Sequence, residues 1–212
     1  MINSNEYRLA ELLCSKLCHD LISPIGAINN GLEFLEDGSS DMVREAISLL
    51  GKSASQATNR LMFFRLAFGG WGNAEKTLFG SLRQPIQQFL DDRKIKVIWH
   101  DNLAGDDEEI SIFSAKLLLN MIVVAADFVQ RDGNINVSAP VSGDNILPKL
   151  LISGEKIRLR EDIVSGLDTN LSADELTARN VVAYHSIFIA EKLAMVLKAT
   201  EQSPNVIEIS VV

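Results

Sequence analysis

The sequence predicts an all-α hairpin that forms a dimeric four-helix bundle, followed by an α+β sandwich. Apolar residues recur at spacings of three and four through the first 68 residues, which is typical of amphipathic helices. Beyond a glycine-rich segment at 69–73, short alternating segments are interspersed with helical ones. We therefore expect the hairpin to span residues 1–70 and the α+β domain to span residues 74–212.

Each helix of the hairpin carries one long apolar stripe. The first stripe consists of Leu9, Leu13, Leu17, Leu21, Ile25, Ile28, Leu32 and Leu35. A turn is predicted around Gly38, and the second stripe runs from Met42 to Phe68. One hairpin cannot bury both stripes, so a second copy of the chain is the simplest cover. The sequence therefore predicts a homodimer.

The second domain contains both helical and strand patterns. The predicted helices cover residues 77–92, 114–128 and 173–198, and Ser114 is expected to cap the second of them. The predicted strands cover residues 94–100, 134–138, 150–153 and 205–212. This mixture indicates helices packed on one face of a mixed sheet.

The composition is that of a globular protein and limits what the chain binds. Of its 212 residues, 47% are apolar and 23% are charged, and the net charge is −8. An acidic chain without a basic cluster is a poor binder of nucleic acid or of an anionic membrane. No apolar run is long enough to span a bilayer and the N-terminus lacks a signal-peptide pattern, so we expect a cytoplasmic protein. Small thiols at Cys14 and Cys18 are favoured over a metal site shared with His19.

The candidate chemistry lies on the first helix, at His19. At about 100° per residue, this side chain points away from the leucine stripe and toward solvent. Asp20 is close enough to hold one ring nitrogen as N–H, which leaves the other as the nucleophile. Pro24 is expected to bend the helix just below. The neighbouring residues on the histidine face are Ser15, Lys16, Ser23, Gly26 and Asn30. From geometry alone, a solvated face without a role is the commoner interpretation.

The segment around His19 also carries a motif, because residues 17–25 read Leu-Cys-His-Asp-Leu-Ile-Ser-Pro-Ile. It resembles the phosphoacceptor segment of sensor histidine kinases, in which His, an acidic residue and Leu are followed by two residues, Pro and an aliphatic residue. The resemblance implies that His19 accepts a phosphoryl group and that Asp20 orients and tunes its imidazole. The hairpin of that family dimerises into a four-helix bundle, which the apolar stripes also predict.

The second domain resembles the ATP-binding domain of histidine kinases in a degenerate form. Residues 117–127 resemble the helix with the first nucleotide-binding box, but Val124 stands where the family has its Mg²⁺-binding Asn. Residues 154–156 (Gly-Glu-Lys) replace an Asp-x-Gly-x-Gly loop, and residues 178–183 contain no glycine where a phosphate-binding loop belongs. We therefore expect no ATP, no other cofactor and no metal of its own.

A histidine-bearing hairpin with a kinase-like domain that lacks an ATP site resembles the ChpT-type histidine phosphotransferases of alphaproteobacteria. Residues 29–33 and 60–69 resemble that group specifically. The resemblance implies a phosphorelay intermediate without kinase activity. It would accept phosphate on His19 from the receiver domain of a hybrid kinase and pass it to the Asp of response regulators. The receiver would supply Mg²⁺ and a Lys.

The docking surface for receivers is expected to combine both helices of the hairpin. Counted from the turn, residues 56–60 of the second helix lie at the depth of His19. The predicted receiver contacts on that helix are Gln56, Asn59, Arg60 and Phe63, and they join the histidine face defined above. For Phe63, burial in the bundle is the alternative.

Two other functions stay open on the sequence, and two further histidines need a role. An active histidine kinase is disfavoured by the missing nucleotide loops. A non-catalytic dimeric adaptor or inhibitor of histidine-kinase signalling, with His19 as a relic, is the stronger alternative. His100 and His185 are expected to be structural.

Overall fold

The structure begins with a long helical hairpin, which confirms the prediction. The computed structural model describes residues 4–37, 40–100 and 103–212. Helix α1 spans Ser4–Asp37 and helix α2 spans Ser40–Phe68. The turn predicted around Gly38 lies outside the described residues. At Gly31 the helices are so close that an added Cβ atom would lie 2.9 Å from Cγ of Leu50.

The second part is built on a mixed five-stranded sheet. In chain order its elements are β1 (Lys76–Leu78), α3 (Arg83–Asp91), β2 (Ile95–Trp99), β3 (Glu109–Ser111), α4 (Ile112–Phe128), β4 (Val129–Ser138), β5 (Val141–Ser142), β6 (Asn145–Ile146), β7 (Lys149–Ile157), α5 (Glu161–Val164), α6 (Val181–Lys192), β8 (Leu197–Ser203) and β9 (Val206–Val211). The sheet has the order β2-β4-β7-β9-β8. Strands β2 and β4 are parallel, and the other neighbours are antiparallel.

One face of the sheet is apolar and buried. Ile135 of β4 pairs with Ile152 of β7, which pairs with Ile207 of β9, and all three side chains are buried. Alternate residues of a strand point to opposite faces, so this row belongs to a single face. Helices α3, α4 and α6 pack against strands of the sheet. The predicted α+β sandwich is therefore confirmed.

Helix α4 lies at the centre of this domain, and its cap differs from the prediction. Its side chains are buried almost all round, as expected of a helix without a polar face. Ser111, not Ser114, is the N-cap residue, and its Oγ accepts a hydrogen bond from the Ser114 backbone N–H at 3.1 Å. Ser114 is buried within the first turn, where its Oγ donates to Asn145 Oδ1 at 3.1 Å.

The helix predicted at 77–92 is shorter than expected. Lys76–Leu78 forms a strand paired with β3, Phe79–Leu82 is a 3₁₀ turn, and only Arg83–Asp91 is α-helical. Proline fits the first turn of a helix, where backbone N–H groups have no helical partner, but not the interior. The position of Pro85 therefore requires the α-helix to begin only a few residues before it.

The single helix predicted at 173–198 is wrong. Helix α6 ends at Lys192, Ala194 adopts a φ of 54°, and Leu197–Ser203 is a strand. Strand β8 turns through residues 204–205 into β9, with Asn205 at a φ of 62°. Pairing with β9 completes the sheet and outweighs the helical propensity of the Leu, Ala and Met residues there.

The hairpin and the α+β part share one hydrophobic core. Phe63 and Phe64 of α2 are buried, and Phe63 stacks on Phe89 of α3 with ring centroids 4.1 Å apart. The end of α2 is also bound by α4, because Asn120 Nδ2 donates a hydrogen bond to the Ala67 carbonyl at 3.0 Å. The second part is therefore packed directly onto the hairpin.

Candidate functional site

His19 lies on α1 with its side chain 83% exposed, as the helical period predicts. The ring stands at the edge of a depression of about 460 Å³ between α1 and the second part of the chain. The charged and polar side chains that line the depression with it are Ser15, Lys16, Asp20, Arg93, Asp127, Arg160 and Arg179. Three of them are arginines from the second part, so the depression suits an anionic group beside the imidazole.

Asp20 holds one ring nitrogen of His19, because its Oδ1 lies 3.2 Å from Nδ1. Burial by itself would raise the pKa of Asp20, but the cations of Lys16 and Arg93 hold it below its ordinary value. The carboxylate is therefore ionised at neutral pH and only accepts hydrogen bonds, which assigns the proton to Nδ1. In the neutral imidazole, Nε2 is then the nitrogen with the free lone pair.

Asp20 belongs to a closed cluster of four charges. Lys16 Nζ lies 3.2 Å from Asp20 Oδ2 and 3.3 Å from Asp127 Oδ2. Arg93 Nη2 lies 3.2 Å from Asp20 Oδ2, and its Nη1 lies 3.0 Å from Asp127 Oδ1. Each carboxylate therefore contacts both cations. Lys16, predicted as a receiver contact, is only 12% exposed, and its ammonium is engaged inside this cluster.

Pro24 leaves the backbone carbonyl of Asp20 free to accept a hydrogen bond from another part of the chain. Proline has no backbone N–H, so the carbonyl of Asp20, four residues earlier, lacks its helical partner. Arg60 of α2 fills the vacancy, because its Nη1 donates to that carbonyl oxygen at 2.7 Å. The Arg60 side chain is 16% exposed, and its Nε lies 3.9 Å from Asp92 Oδ2. Arg60, predicted as a receiver contact, is thus an internal link between helices.

The remaining face of α1 is accessible below and beside His19. Ser15, Ser23 and Asn30 are exposed. Gly26 is half-buried, yet no atom lies within 4 Å of a Cβ atom built on it. This face therefore remains open to a partner.

The predicted docking residues of α2 are less accessible. Gln56 and Asn59 are half-buried. Phe63 is completely buried against Phe89, so the prediction that it contacts a receiver is wrong. The reason is that α2 buries one face in the hairpin and another against α3.

The other two histidines lie in different environments. On α6, His185 Nδ1 lies 3.1 Å from Asn120 Oδ1. Burial, and then the charge of Lys116, lower the pKa of His185 to about 4, so it is neutral at physiological pH. His100 is exposed beyond β2, and its backbone N–H donates to Val137 O at 3.0 Å.

The segments that resemble nucleotide-binding elements serve packing and pairing here. Val124 is 2% exposed within α4, and Gly154 lies in β7 opposite Gly133. Within residues 4–37, 40–100 and 103–212, no group of three or more His, Cys, Asp or Glu is arranged to hold a metal ion. Across the same described portion, no helix is both long and apolar enough to cross a membrane.

Comparison with known proteins places this architecture in the phosphotransferase class. A solved structure described as a bacterial phosphotransferase overlays with a TM-score of 0.82 at 29% identity, covering 100% of this chain and 98% of the other. Protein phosphotransferase ChpT of Brucella abortus (strain 2308) is 32% identical over 190 residues, or 88% of this chain and 87% of the relative. A family model described as histidine phosphotransferase C-terminal domain matches residues 79–204.

The chain therefore belongs to the histidine phosphotransferase family. Its function is that of a phosphorelay histidine phosphotransferase, acting within two-component signalling. The adaptor alternative is not favoured by these relationships.

Proposed function

We propose that His19 carries the phosphoryl group in this phosphorelay and that Asp20 determines which ring nitrogen of His19 carries the proton. The observation that supports this assignment is the pairing of an exposed ring with a buried carboxylate on Nδ1, 3.2 Å away. A nucleophile must reach its partner, whereas the group that fixes its tautomer works best where water does not compete. His19 meets the first requirement because its ring is exposed, and Asp20 meets the second because its carboxylate is buried.

The reaction proceeds without a metal or cofactor from this chain. Nε2 of His19 attacks the phosphorus of an aspartyl phosphate in a bound receiver domain. An N–P bond forms, and the P–O bond to the receiver's aspartate breaks with its electron pair left on that carboxylate. The Nδ1 proton stays on the ring, and Asp20 stabilises the positive charge that the ring gains. The reverse step onto the Asp of a response regulator completes the relay.

Arginines at the depression support the transfer. Phosphoryl transfer spreads negative charge over the equatorial oxygens, so positioned cations lower its barrier. Arg160 and Arg179 are held at this depression by Asp162, at N–O distances of 2.7 Å and 3.0 Å. The receiver supplies Mg²⁺ and a lysine in this proposal, and this chain supplies the nucleophile and the surrounding charge.

The receiver docks on the exposed part of the histidine face in this proposal. Ser15, Ser23, Gly26 and Asn30 of α1 form the accessible strip, and Gln56 and Asn59 of α2 border it. The donor is the receiver domain of a hybrid kinase, and the acceptors are receivers of response regulators. Because such aspartyl phosphates derive from ATP, the exchange takes place in the cytoplasm.

A homodimer through the hairpin completes the proposal. Large apolar side chains are exposed along both hairpin helices: Ile22, Ile25, Leu32, Phe34, Met42, Ile47, Leu49, Leu61 and Met62. Phe34, Met42 and Leu49 line one depression together. Exposed apolar patches of this kind are typical of an interface. A second hairpin that packs on it forms a four-helix bundle with one His19 per protomer.

The test is to mix the protein with a receiver domain labelled on its aspartyl phosphate and to follow the label. We expect the wild type to take up acid-labile, base-stable label, and His19→Gln to take up none. His100→Gln is the matched control, because it also changes an exposed histidine, and it should behave like the wild type. Label on His19→Gln would refute the assignment. A wild type that binds the receiver but takes up no label would be the adaptor instead.

A further inference from the structure

We propose that Arg93 and Asp127, from the second part of the chain, are positioning residues for phosphotransfer: they fix the Asp20 carboxylate and, through it, the tautomer and orientation of His19. This inference rests on the proposed function of His19. It gives the second part a role in the chemistry, in addition to its packing against the hairpin.

The geometry of the charge cluster carries the inference. Oδ2 of Asp20 lies 3.2 Å from Arg93 Nη2, while its Oδ1 faces Nδ1 of His19 at 3.2 Å. Oδ2 therefore faces the second part of the chain and Oδ1 faces the imidazole, while Lys16 Nζ lies 3.2 Å from Oδ2 and 3.3 Å from Oδ1. Asp127 holds Arg93 at 3.0 Å on the other side. Contacts thus continue from α4 through Arg93 and Asp20 to the ring.

Arg93 is suited to this task by its shape and its support. A guanidinium is planar and presents donors in a rigid fork, so it can contact two carboxylates with fixed geometry. Its carbon Cζ lies 4.7 Å from the ring centroid of Phe89, which supports the guanidinium. Phe89 in turn stacks on Phe63 of α2. The orientation of Arg93 is therefore set by the same packing that joins the two parts.

Lys16 alone does not replace this support. Its ammonium contacts both Asp20 and Asp127, but it is a compact charge on a flexible stem, attached to the same helix as Asp20. Without Arg93, the buried Asp20 carboxylate would keep only the flexible Lys16 ammonium as a partner within the cluster. We expect the Asp20 side chain then to take several orientations and to release Nδ1 of His19 for part of the time.

The first test measures the imidazole itself, without any transfer reaction. With ¹⁵N-labelled histidine, nitrogen shifts report the Nδ1–H and Nε2–H populations at about pH 8, above the usual imidazole pKa of about 6.5. We expect wild-type His19 to be mainly Nδ1–H, and Arg93→Ala to shift it toward the population seen in Asp20→Asn. If the alanine variant does not fold, Arg93→Lys takes its place. Because it keeps the charge and the alkyl stem, its tautomer population should lie between those of the wild type and Asp20→Asn.

The matched control is Arg83→Ala. Arg83 is also paired with an aspartate, Asp106, and its guanidinium also lies over an aromatic ring, 5.0 Å from the centroid of Trp99, but it stands at the other end of α3. This variant should leave the His19 tautomer unchanged. A folded Arg93→Ala or Arg93→Lys with the wild-type tautomer overturns the inference.

The second test is a double-mutant cycle on phosphoryl uptake. Arg93→Ala should slow uptake about tenfold, as loss of a support behind a reacting group does. In the Asp20→Asn background it should have less than about a twofold effect, because residues that act through one another are not additive. Equal slowing in both backgrounds would mean that Arg93 acts directly on the receiver or the phosphoryl group, which contradicts the inference. A wild type that takes up no label refutes the proposed function, and the tautomer populations still decide the positioning role.

Discussion

The carboxylate beside His19 is buried, and the cations of Lys16 and Arg93 hold its pKa below the ordinary value. Asp20 is 8% exposed, whereas the His19 side chain is 83% exposed. Salt screens a buried ion pair much less than an exposed one, so the contacts of Asp20 persist across ionic strengths. In the proposed function, a receiver that docks on His19 therefore meets an imidazole whose proton is already placed.

Asp20 should also stabilise the fold in a pH-dependent way. Its folded-state pKa lies below the ordinary value of 3.8, so its contribution is complete above that value and is lost as the pH falls through the folded value. Asp20→Asn leaves two cations with a weaker partner and should lower the free energy of unfolding by about 1–3 kcal/mol at neutral pH. The measurement is urea denaturation of both proteins from pH 7 downward.

The matched control for that experiment is Asp91→Asn. Asp91 is an exposed residue that accepts a hydrogen bond from Gln87 at 2.6 Å, and its substitution should change stability by less than about 0.5 kcal/mol. The difference in the free energy of unfolding between the wild type and Asp20→Asn should become smaller as the carboxylate protonates. A difference of constant size at every pH would contradict the assigned role of the charge.

His185 predicts a second, separate pH dependence. Burial and Lys116 lower its pKa from 6.5 to about 4 in the folded state, so the unfolded chain binds a proton first as the pH falls. Stability from this group is therefore complete above pH 6.5 and falls between there and pH 4, by about 3 kcal/mol. His185→Gln should show a flatter profile in that window, whereas His100→Gln should retain the wild-type slope. Parallel profiles for all three proteins would show that His185 titrates normally.

Individual site residues differ in how far the sequence predicts them. The exposure of His19 and the composition of its face follow from a helical period, which is local, and its role is implied by the motif of residues 17–25. Arg93 is 73 residues from Asp20, and nothing in its neighbourhood distinguishes it from a solvated arginine. Phe63 was misassigned because a period shows which side chains share a face but not which neighbour covers that face.

At the scale of an element, one backbone carbonyl of α1 accepts its hydrogen bond from a side chain of α2 and not from α1 itself. Pro24 is buried and leaves the Asp20 carbonyl without its usual donor. Arg60 supplies that donor from α2, at 2.7 Å. A proline that breaks the hydrogen-bond ladder of one helix therefore creates a link between two.

The open face of α1 gives a steric prediction. Gly26→Trp should block phosphoryl uptake while the protein stays folded, because the glycine has open space around it and lies two turns from His19. Gly105→Trp, at an exposed glycine of the second part with equally open space, is the control and should transfer normally. Uptake assays with thermal melts check both variants. Normal uptake by Gly26→Trp would place receiver docking on another face.

The elements were predicted well where periodicity is long and poorly where pairing decides. The hairpin helices and α4 carry many turns of apolar pattern. The region of β8 has helical propensity, and only its antiparallel partner β9, across residues 204–205, makes it a strand. The strand of residues 76–78 likewise exists because β3 lies beside it. Such pairings are not local, so a period along the chain does not show them.

At the scale of the whole molecule, assembly is the clearest prediction. Leu32 and Leu49 are 49% and 37% exposed in the protomer, so Leu32→Glu or Leu49→Glu should leave each protomer folded but reduce the mass in light scattering to that of a monomer. Phe113→Glu is the control, because this residue is 49% exposed but lies on the second part, and it should stay dimeric. A wild type with a monomer mass at micromolar concentration would exclude the bundle.

The fastening of the end of α2 has a consequence for the integrity of the chain. Asn120 holds the Ala67 carbonyl at 3.0 Å, and Phe63 stacks on Phe89 with ring centroids 4.1 Å apart. A protease that cleaves the connecting segment near Gly72 should therefore leave two fragments that still elute together. His19 would then lie on one fragment and Arg93 on the other. The two halves, expressed separately, should reassemble, and mixing halves from different relatives would make chimaeric proteins without any new covalent junction.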